Sequence, residues 1–374
     1  MQATAATDDA VDKAARPGSY TILPGQLPSG QPILSCLLKR SYVIVPSAVA
    51  ARAEEDRPLN AGDVPWIEPV TSSVRYESDF VPYKLATDVV INGQAHAPGE
   101  QACQQLFVEF HIGKIGRSLL VVGDRIANFT GSQPTFTDPK PFAVMDLKYE
   151  RAYGGVDVFS MPDCPYPYPR NPLGRGFVIA NSRKAVQGRT LPNVEDPHHR
   201  LTPDNLCVGD FVRNWAEQPW PACFGWCPKT WQPRASLAGI MPGDRPTEQE
   251  LRKAYAPLVP KEQRAAYEQT KLPDMDFKYF SGASAELSLP YLSGSQPVVT
   301  RNLSPEGEFR FHTPEDQPRI AIDIGEGSQE PEVVLHTLMI DMEARQLDMV
   351  WRAAIEYPGL DWLPQLTKLE VQIA

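Results

Sequence analysis

Prolines set the first limit on what this chain can fold into. There are 38 of them in 374 residues, about twice ordinary usage, and they crowd into one stretch. Across residues 156–239 the text includes "MPDCPYPYPRNPLGRGF", "LPNVEDPHHR" and "NWAEQPWPACFGWCPKTWQPR". Each proline fixes φ and removes a backbone donor, so at this density neither a long helix nor a central strand can form. Yet the stretch carries Trp215, Trp220, Trp226 and Trp231, whose indoles are costly to leave in water. It reads as an elaborated loop region packed by its own aromatic residues, not as a linker. Loops this long are uncommon in compact domains unless functional, so a recognition surface is expected here first.

Elsewhere the periodicity is that of strands. "SYVIV" at residues 41–45 opens the β pattern, and "LFVEFHIG" sets Phe107, Glu109 and His111 on one face with Val108, Phe110 and Ile112 on the other. "RSLLVVGD" follows across a glycine turn. In "DVVINGQAHAP" the Asn92-Gly93 dipeptide supplies the positive φ angles of a tight hairpin. After residue 273 come "LPYLSG", "QPVVTRNL", "GEFRFHT", "RIAIDIG", and then "EVVLHTLMID" and "QLDMVWRAAI" about a turn near residues 343–345. Leu347, Met349, Trp351 and Ala353 share one face there, and "KLEVQIA" closes the chain with the same alternation. Helix signals are confined to a short insertion, where Thr247 with Glu250 forms a capping box and Pro260 suits a first helical position.

The expected fold is mainly β, with antiparallel sandwich-like sheets, a long aromatic Pro/Gly-rich loop region and a short helical insertion. Its expected divisions are a disordered tail (1–18), an N-terminal β region with the long loops (19–240), the helical insertion (241–272) and a C-terminal β region (273–374).

With 36 basic against 46 acidic residues the net charge is -10, which disfavours attraction to nucleic acid or anionic membrane. The first residues lack a basic start followed by an apolar run, and no apolar run approaches 18 residues. A cytoplasmic location is expected. Six cysteines (Cys36, Cys103, Cys164, Cys207, Cys223, Cys227) form no dense framework, so they read as free thiols. Cys223 and Cys227 in "CFGWC" lack the second Cys or His pair of a zinc site and read as a Trp-lined packed loop, with no metal expected.

Candidate catalytic sets are weak. Ser293 in "YLSGSQ" lacks the leading glycine of a nucleophile elbow and reads as a β-turn. His198 and His199 sit beside Glu195 and Asp196, but adjacent residues of a strand point to opposite faces, which favours a polar loop. Cys36, Cys103 and Cys164 have no neighbouring His. The pairs Glu54-Glu55 and Asp146 with Glu150 are ordinary acidic density, and no nucleotide-binding glycine fingerprint is present. No enzyme activity and no cofactor are expected.

"LKYERAYGG" ends the first β region. As a strand it would place Leu147, Tyr149, Arg151 and Tyr153 on one face and Lys148, Glu150 and Ala152 on the other. Glu150 and Arg151 would face apart, each needing a partner on another element. Gly154-Gly155 permits a close or left-handed backbone path into the long loop. Arg151 would then hold loop carbonyls; a sharper reading has Arg151, Asn171 and Arg175 converging on a partner or ligand.

These motifs carry a resemblance. "YERAYGG", "YPRNPLGRGF", "LPNVEDP" and "FGWCPKTWQPR", preceded by "SDFVPYKLATDVVINGQAHAP" and "VVGDR" and followed by "MDFKYFSGASAE" and "LSGSQPVVTRNLSPEG", resemble the bacterial family named domain of unknown function 2169. The likeness runs in order from about residue 39 to the end, and departs from the family at "SGASAELSLPYL", where a more polar run is usual. It implies a non-enzymatic accessory protein of the type VI secretion system. Such an adaptor or chaperone loads an effector toxin onto the spike through a PAAR-repeat or VgrG protein. No catalytic residues come with it. The signature positions are Tyr149, Glu150, Arg151, Tyr153, Gly154, Gly155, Asn171, Pro172, Gly174, Arg175 and Gly176, with Trp226, Trp231 and Arg234 from the later motif. Two other classes stay open: a carbohydrate-binding sandwich or hydrolase using the aromatic loops with Glu195, Asp196, His198 and His199, and a self-associating structural piece of the apparatus.

Overall fold

The computed structural model describes residues 17–160, 165–209, 218–238, 275–325, 327–358 and 369–374. The expected helices around Thr247, Glu250 and Pro260, together with Trp215, Cys164 and nearly all of the expected tail, lie outside the described residues.

The protein is mainly β, and its two largest sheets share one core. The first sheet runs, in spatial order, Ser19–Gln26, Pro32–Val43, Gln346–Glu356, Val333–Asp341, Thr87–Asn92 and Ser288–Leu289, with Ala51–Arg52 paired to Pro32–Val43. Neighbours in it are antiparallel except for Val333–Asp341 beside Thr87–Asn92, which is parallel. The second sheet is antiparallel throughout, in the order Val194–Glu195, Ile115–Val122, Gln105–Ile112, Pro297–Arg301 and Glu308–His312. Each sheet therefore combines strands from the first 200 residues with strands from beyond residue 285.

Side-chain alternation fixes how the sheets meet. In Gln105–Ile112 the residues Leu106, Val108, Phe110 and Ile112 are buried while Phe107 and His111 face solvent, as a strand with one wet face requires. They join Leu34, Cys36 and Leu38, then Leu347, Met349, Trp351 and Ala353, and Phe309 and Phe311 in a single cluster. The expected shared face of Leu347, Met349, Trp351 and Ala353 is thus an inner face of the sandwich.

The first sheet is buried on its other face as well, and that face is polar. Lys39 Nζ donates to Asp79 (2.9 Å), Ser41 Oγ to Asp348 (2.6 Å), and Lys84 Nζ to Asp88 (2.7 Å) and Thr337 (3.1 Å). Buried polar groups must be paired, and here residues from the irregular segment 57–84 supply many of the partners. His336 lies at the bulge between Leu335 and Thr337, where its Nε2 accepts the Lys84 backbone N–H (3.2 Å).

Three sequence expectations fail. Of "LPYLSG" only Leu289 lies in a strand, Ser288–Leu289. Asn92-Gly93 is not a hairpin: Thr87–Asn92 pairs with Val333–Asp341, whereas Gln94–His96 pairs with Val144–Asp146. Neither residue has a positive φ. Gly93 serves instead as a point of close approach, since a Cβ there would stand 3.3 Å from Met342 Cβ. Nor is "LKYERAYGG" a strand. Tyr149–Arg151 form a 3-10 turn, and within the motif only Tyr153–Gly154 form a strand, paired in parallel with Arg175–Gly176. No helix among the described residues is long and apolar enough to cross a membrane.

Burial, reinforced by the charges of Arg352 and Lys84, holds the His336 imidazole well below its usual value of 6.5. Because the folded pKa is depressed, the stability linked to this group is present above 6.5 and is lost as pH falls below it. Urea unfolding is expected to show a loss approaching about 1.4 kcal/mol per pH unit below that value, with a shallower loss in His336→Gln; equal slopes in the two proteins would overturn the assignment.

Candidate functional site

The "YERAYGG" and "NPLGRGF" motifs meet where two backbones pass in contact. Gly154 and Gly155 have φ of 145° and 101°. A Cβ on Gly154 would lie 2.1 Å from the Asn171 carbonyl oxygen, and one on Gly174 would lie 2.5 Å from that of Ala152. Gly176, at φ 91°, sits under Pro192, whose Cδ would lie 2.8 Å from an added Cβ. Only glycine fits such a crossing. Asn171 is fully buried and seals it: its Nδ2 donates to the carbonyls of Tyr149 (2.7 Å) and Tyr153 (3.1 Å), while its own carbonyl accepts the Gly155 N–H (2.8 Å). Pro172 begins the turn between Asn171 and Gly174.

Arg151 and Arg175 converge, as the sharper sequence reading expected, but on residues of this chain. Both donate to Asn193 Oδ1, at 3.2 and 2.9 Å, and both stand 3.8 Å from Asp124 Oδ1. Arg175 Nε also donates to the Glu150 carbonyl (3.0 Å). Asn193 completes the hub through its backbone N–H to Arg151 O (2.8 Å) and its Nδ2 to Val122 O and Asp124 Oδ1, both 3.0 Å. Burial and the neighbouring Arg151 charge lower the Arg175 guanidinium, and Asp124 and Glu150 oppose that shift. Glu150 faces away from Arg151, its carboxylate accepting the Ser73 N–H (2.6 Å) and hydroxyl (2.9 Å). Each member of the Glu150-Arg151 pair does find its partner on another segment.

The later motif builds an adjoining cluster. Arg234 is 4 % exposed and donates to Glu77 Oε1 (2.6 Å), to the Tyr279 carbonyl (2.8 Å) and to the Cys227 carbonyl. Lys229 Nζ lies 3.0 Å from the same Glu77 oxygen. Burial alone would raise the Glu77 carboxyl, but the Arg234 and Lys229 charges outweigh it and hold its pKa below the ordinary value. Trp226 packs on Val90 and Met339 of the first sheet, and Gly282 of "SGASAE" lies so close that a Cβ would come 2.6 Å from its ring. Tyr149 meets Trp231 edge-on, with centroids 5.3 Å apart, which joins the two clusters. Tyr153 stacks edge-on with Tyr168 and donates to Gln218 (3.1 Å).

The family model described as "Uncharacterized protein conserved in bacteria (DUF2169)" matches residues 29–352. The chain belongs to this family. No curated protein and no solved structure matches it. The matched span contains every signature residue and both clusters of this DUF2169 protein.

Sequence reasoning missed Asn193, Asp124, Glu77 and Ser73. The signal available was indirect: "LPNVEDP" and "VVGDR" were recognised as motifs, and each arginine demanded an acceptor, but which acceptor depends on contacts dozens of residues away. The alternative constellation does not assemble. Glu195 is buried against Arg125 and accepts the Leu201 N–H (2.9 Å), while His198 and His199 are exposed. Burial pushes the Cys223 and Cys227 thiols up to about 11, keeping both in the less nucleophilic protonated form at neutral pH. The described residues hold no cluster of three or more His, Cys, Asp and Glu suited to a metal. Trp220 is 45 % exposed, under the Arg170 guanidinium at 3.6 Å from its ring centroid.

Asn171→Ala leaves two buried carbonyls without their donor and is expected to cost about 2–4 kcal/mol in urea unfolding. Arg234→Ala leaves the buried Glu77 carboxylate to Lys229 and takes the donor from the Tyr279 and Cys227 carbonyls, with an expected loss of about 3–5 kcal/mol. An unchanged midpoint in either variant would show that its contacts do not hold the fold.

Proposed function

We propose that this protein is a non-enzymatic adaptor or chaperone of a type VI secretion system, which binds an effector toxin, a PAAR-type or VgrG spike protein, or both, and promotes loading of the toxin onto the spike. The reading draws its class from the family resemblance. One structural observation supports it above the others: the signature side chains, together with Asn193, spend their hydrogen bonds on backbone carbonyls and on other side chains of this chain. Asn171, Asn193, Arg175 and Arg234 fasten loops to a double-sheet scaffold, which is what a rigid protein-binding platform needs. In this reading the signature residues shape the platform, and specificity comes from the surface they hold in place.

The test is co-purification with this protein as bait from its native cytoplasm, followed by mass spectrometry and by the mass of the complex in solution. Retention of a spike-tip protein or a toxin at defined stoichiometry is the expected result. A bait that retains neither, or that forms only symmetric oligomers of itself, overturns the proposal.

A further inference from the structure

The motif residue Glu150 leads to a feature that the signature itself does not contain. Its carboxylate clamps Ser73, which stands at the root of the short hairpin formed by Val64–Pro65 and Val74–Tyr76. The turn above that root is unusually well tied. Ser72 Oγ accepts the N–H groups of Ile67 (3.0 Å) and Glu68 (3.1 Å) and donates to the Glu68 carbonyl (2.8 Å). Trp66 N–H donates to Ser73 O (3.0 Å). The Trp66 ring has Lys148 Nζ 4.2 Å and Arg75 Cζ 4.8 Å from its centroid, and Tyr76 hydroxyl donates to Asp341 (2.8 Å). Pro65 and Pro69 stiffen the same segment.

All this order presents two bare aliphatic side chains to water. Ile67 is 79 % exposed and Val70 is 85 % exposed, against 53 % for the next most exposed large hydrophobic residues among those described. Single exposed apolar residues need no explanation, but two on one rigid turn, fixed by the buried Ser72 and Ser73 and by a half-buried tryptophan, contribute nothing to this chain's own core. Such a turn has already lost the conformational freedom that binding would otherwise remove.

We propose that the turn at residues 66–71 is a docking knob, with Ile67 and Val70 entering an apolar pocket of a partner protein whose rim is basic. The partner's class rests on the adaptor reading above; the location of the surface rests on the geometry. The basic rim follows from charge. Glu68 projects at the tip, whereas Lys148 and Arg75 are turned inward over Trp66 and Lys229 is engaged by both Glu77 and Asp63. The same argument disfavours a second copy of this chain. Its cleft of about 520 Å³, lined by Leu338, Met349 and Trp351, carries Glu330 and Glu332 against Arg319, with Asp316 paired to Arg40, so an entering Glu68 would meet net like charge.

The experiment measures binding of the spike-tip or toxin protein retained in the co-purification to purified variants by biolayer interferometry, alongside their melting temperatures. The double variant Ile67→Asp with Val70→Asp is expected to bind at least tenfold more weakly with unchanged melting. Glu68→Lys should weaken binding at low salt and less so at high salt, and Phe107→Asp, an exposed control on the second sheet, should bind as the wild type does. A double variant within threefold of wild type overturns the knob and leaves the adaptor reading standing. Tighter binding by Glu68→Lys overturns the basic rim. A wild-type protein that retains no partner overturns both readings, and a dimer of the wild type abolished by the double variant assigns the turn to self-association instead.

Discussion

A segment that forms only two-residue ladders must still satisfy its other buried backbone groups, and much of this structure answers to that requirement. In residues 147–238 prolines and tight turns leave carbonyls without regular partners. A few side chains take their place. Asn171 serves two carbonyls at one turn, Asn193 ties the loop to the strand Ile115–Val122, Arg175 reaches Glu150, and Arg234 reaches Cys227 and Tyr279. The glycines at 154, 155, 174 and 176 allow the backbones close enough for this to work. The polar signature and the glycine signature are therefore one device, in which side-chain amides and guanidiniums substitute for a sheet.

The same economy governs the first sheet. One face meets the second sheet through an ordinary apolar core, while the other is covered by irregular chain and filled with paired charges. Glu77 with Arg234 and Lys229, Lys84 with Asp88, and Lys39 with Asp79 satisfy that layer. Breaking such pairs is costly even where forming them contributes little net stability, so they select one arrangement of the covering loops over its competitors.

How far the sequence could be read follows from this division. The strand Gln105–Ile112 was legible because one face is wet, and wet and dry residues alternate in the text. The inner face of Gln346–Glu356 was legible for the same reason of spacing, although its polar outer face is buried too. Asn92-Gly93 misled because a dipeptide reports local preference, and pairing with a strand some 250 residues later overrode it. "LKYERAYGG" misled because alternation over seven residues cannot distinguish a strand from a 3-10 turn whose side chains are each claimed by a different segment. The convergence of Arg151 and Arg175 was visible as motif chemistry; the identity of their acceptor was not, because Asn193 gains its role only through tertiary contact. Ile67 and Val70 drew no notice at all, since exposure leaves no mark on a sequence.

The order of strands in the first sheet has a consequence for how the protein is made. Gln346–Glu356 lies between Pro32–Val43 and Val333–Asp341, so the middle of the sheet is supplied by a strand synthesised some three hundred residues after its neighbour. Until the ribosome reaches it, Pro32–Val43 and Thr87–Asn92 lack their central partners, and loop-closure entropy over some three hundred residues must be met before the sheet can close. A nascent chain of this design is exposed to edge-to-edge aggregation until those strands emerge, and a message cut short before residue 333 leaves the first sheet without its middle.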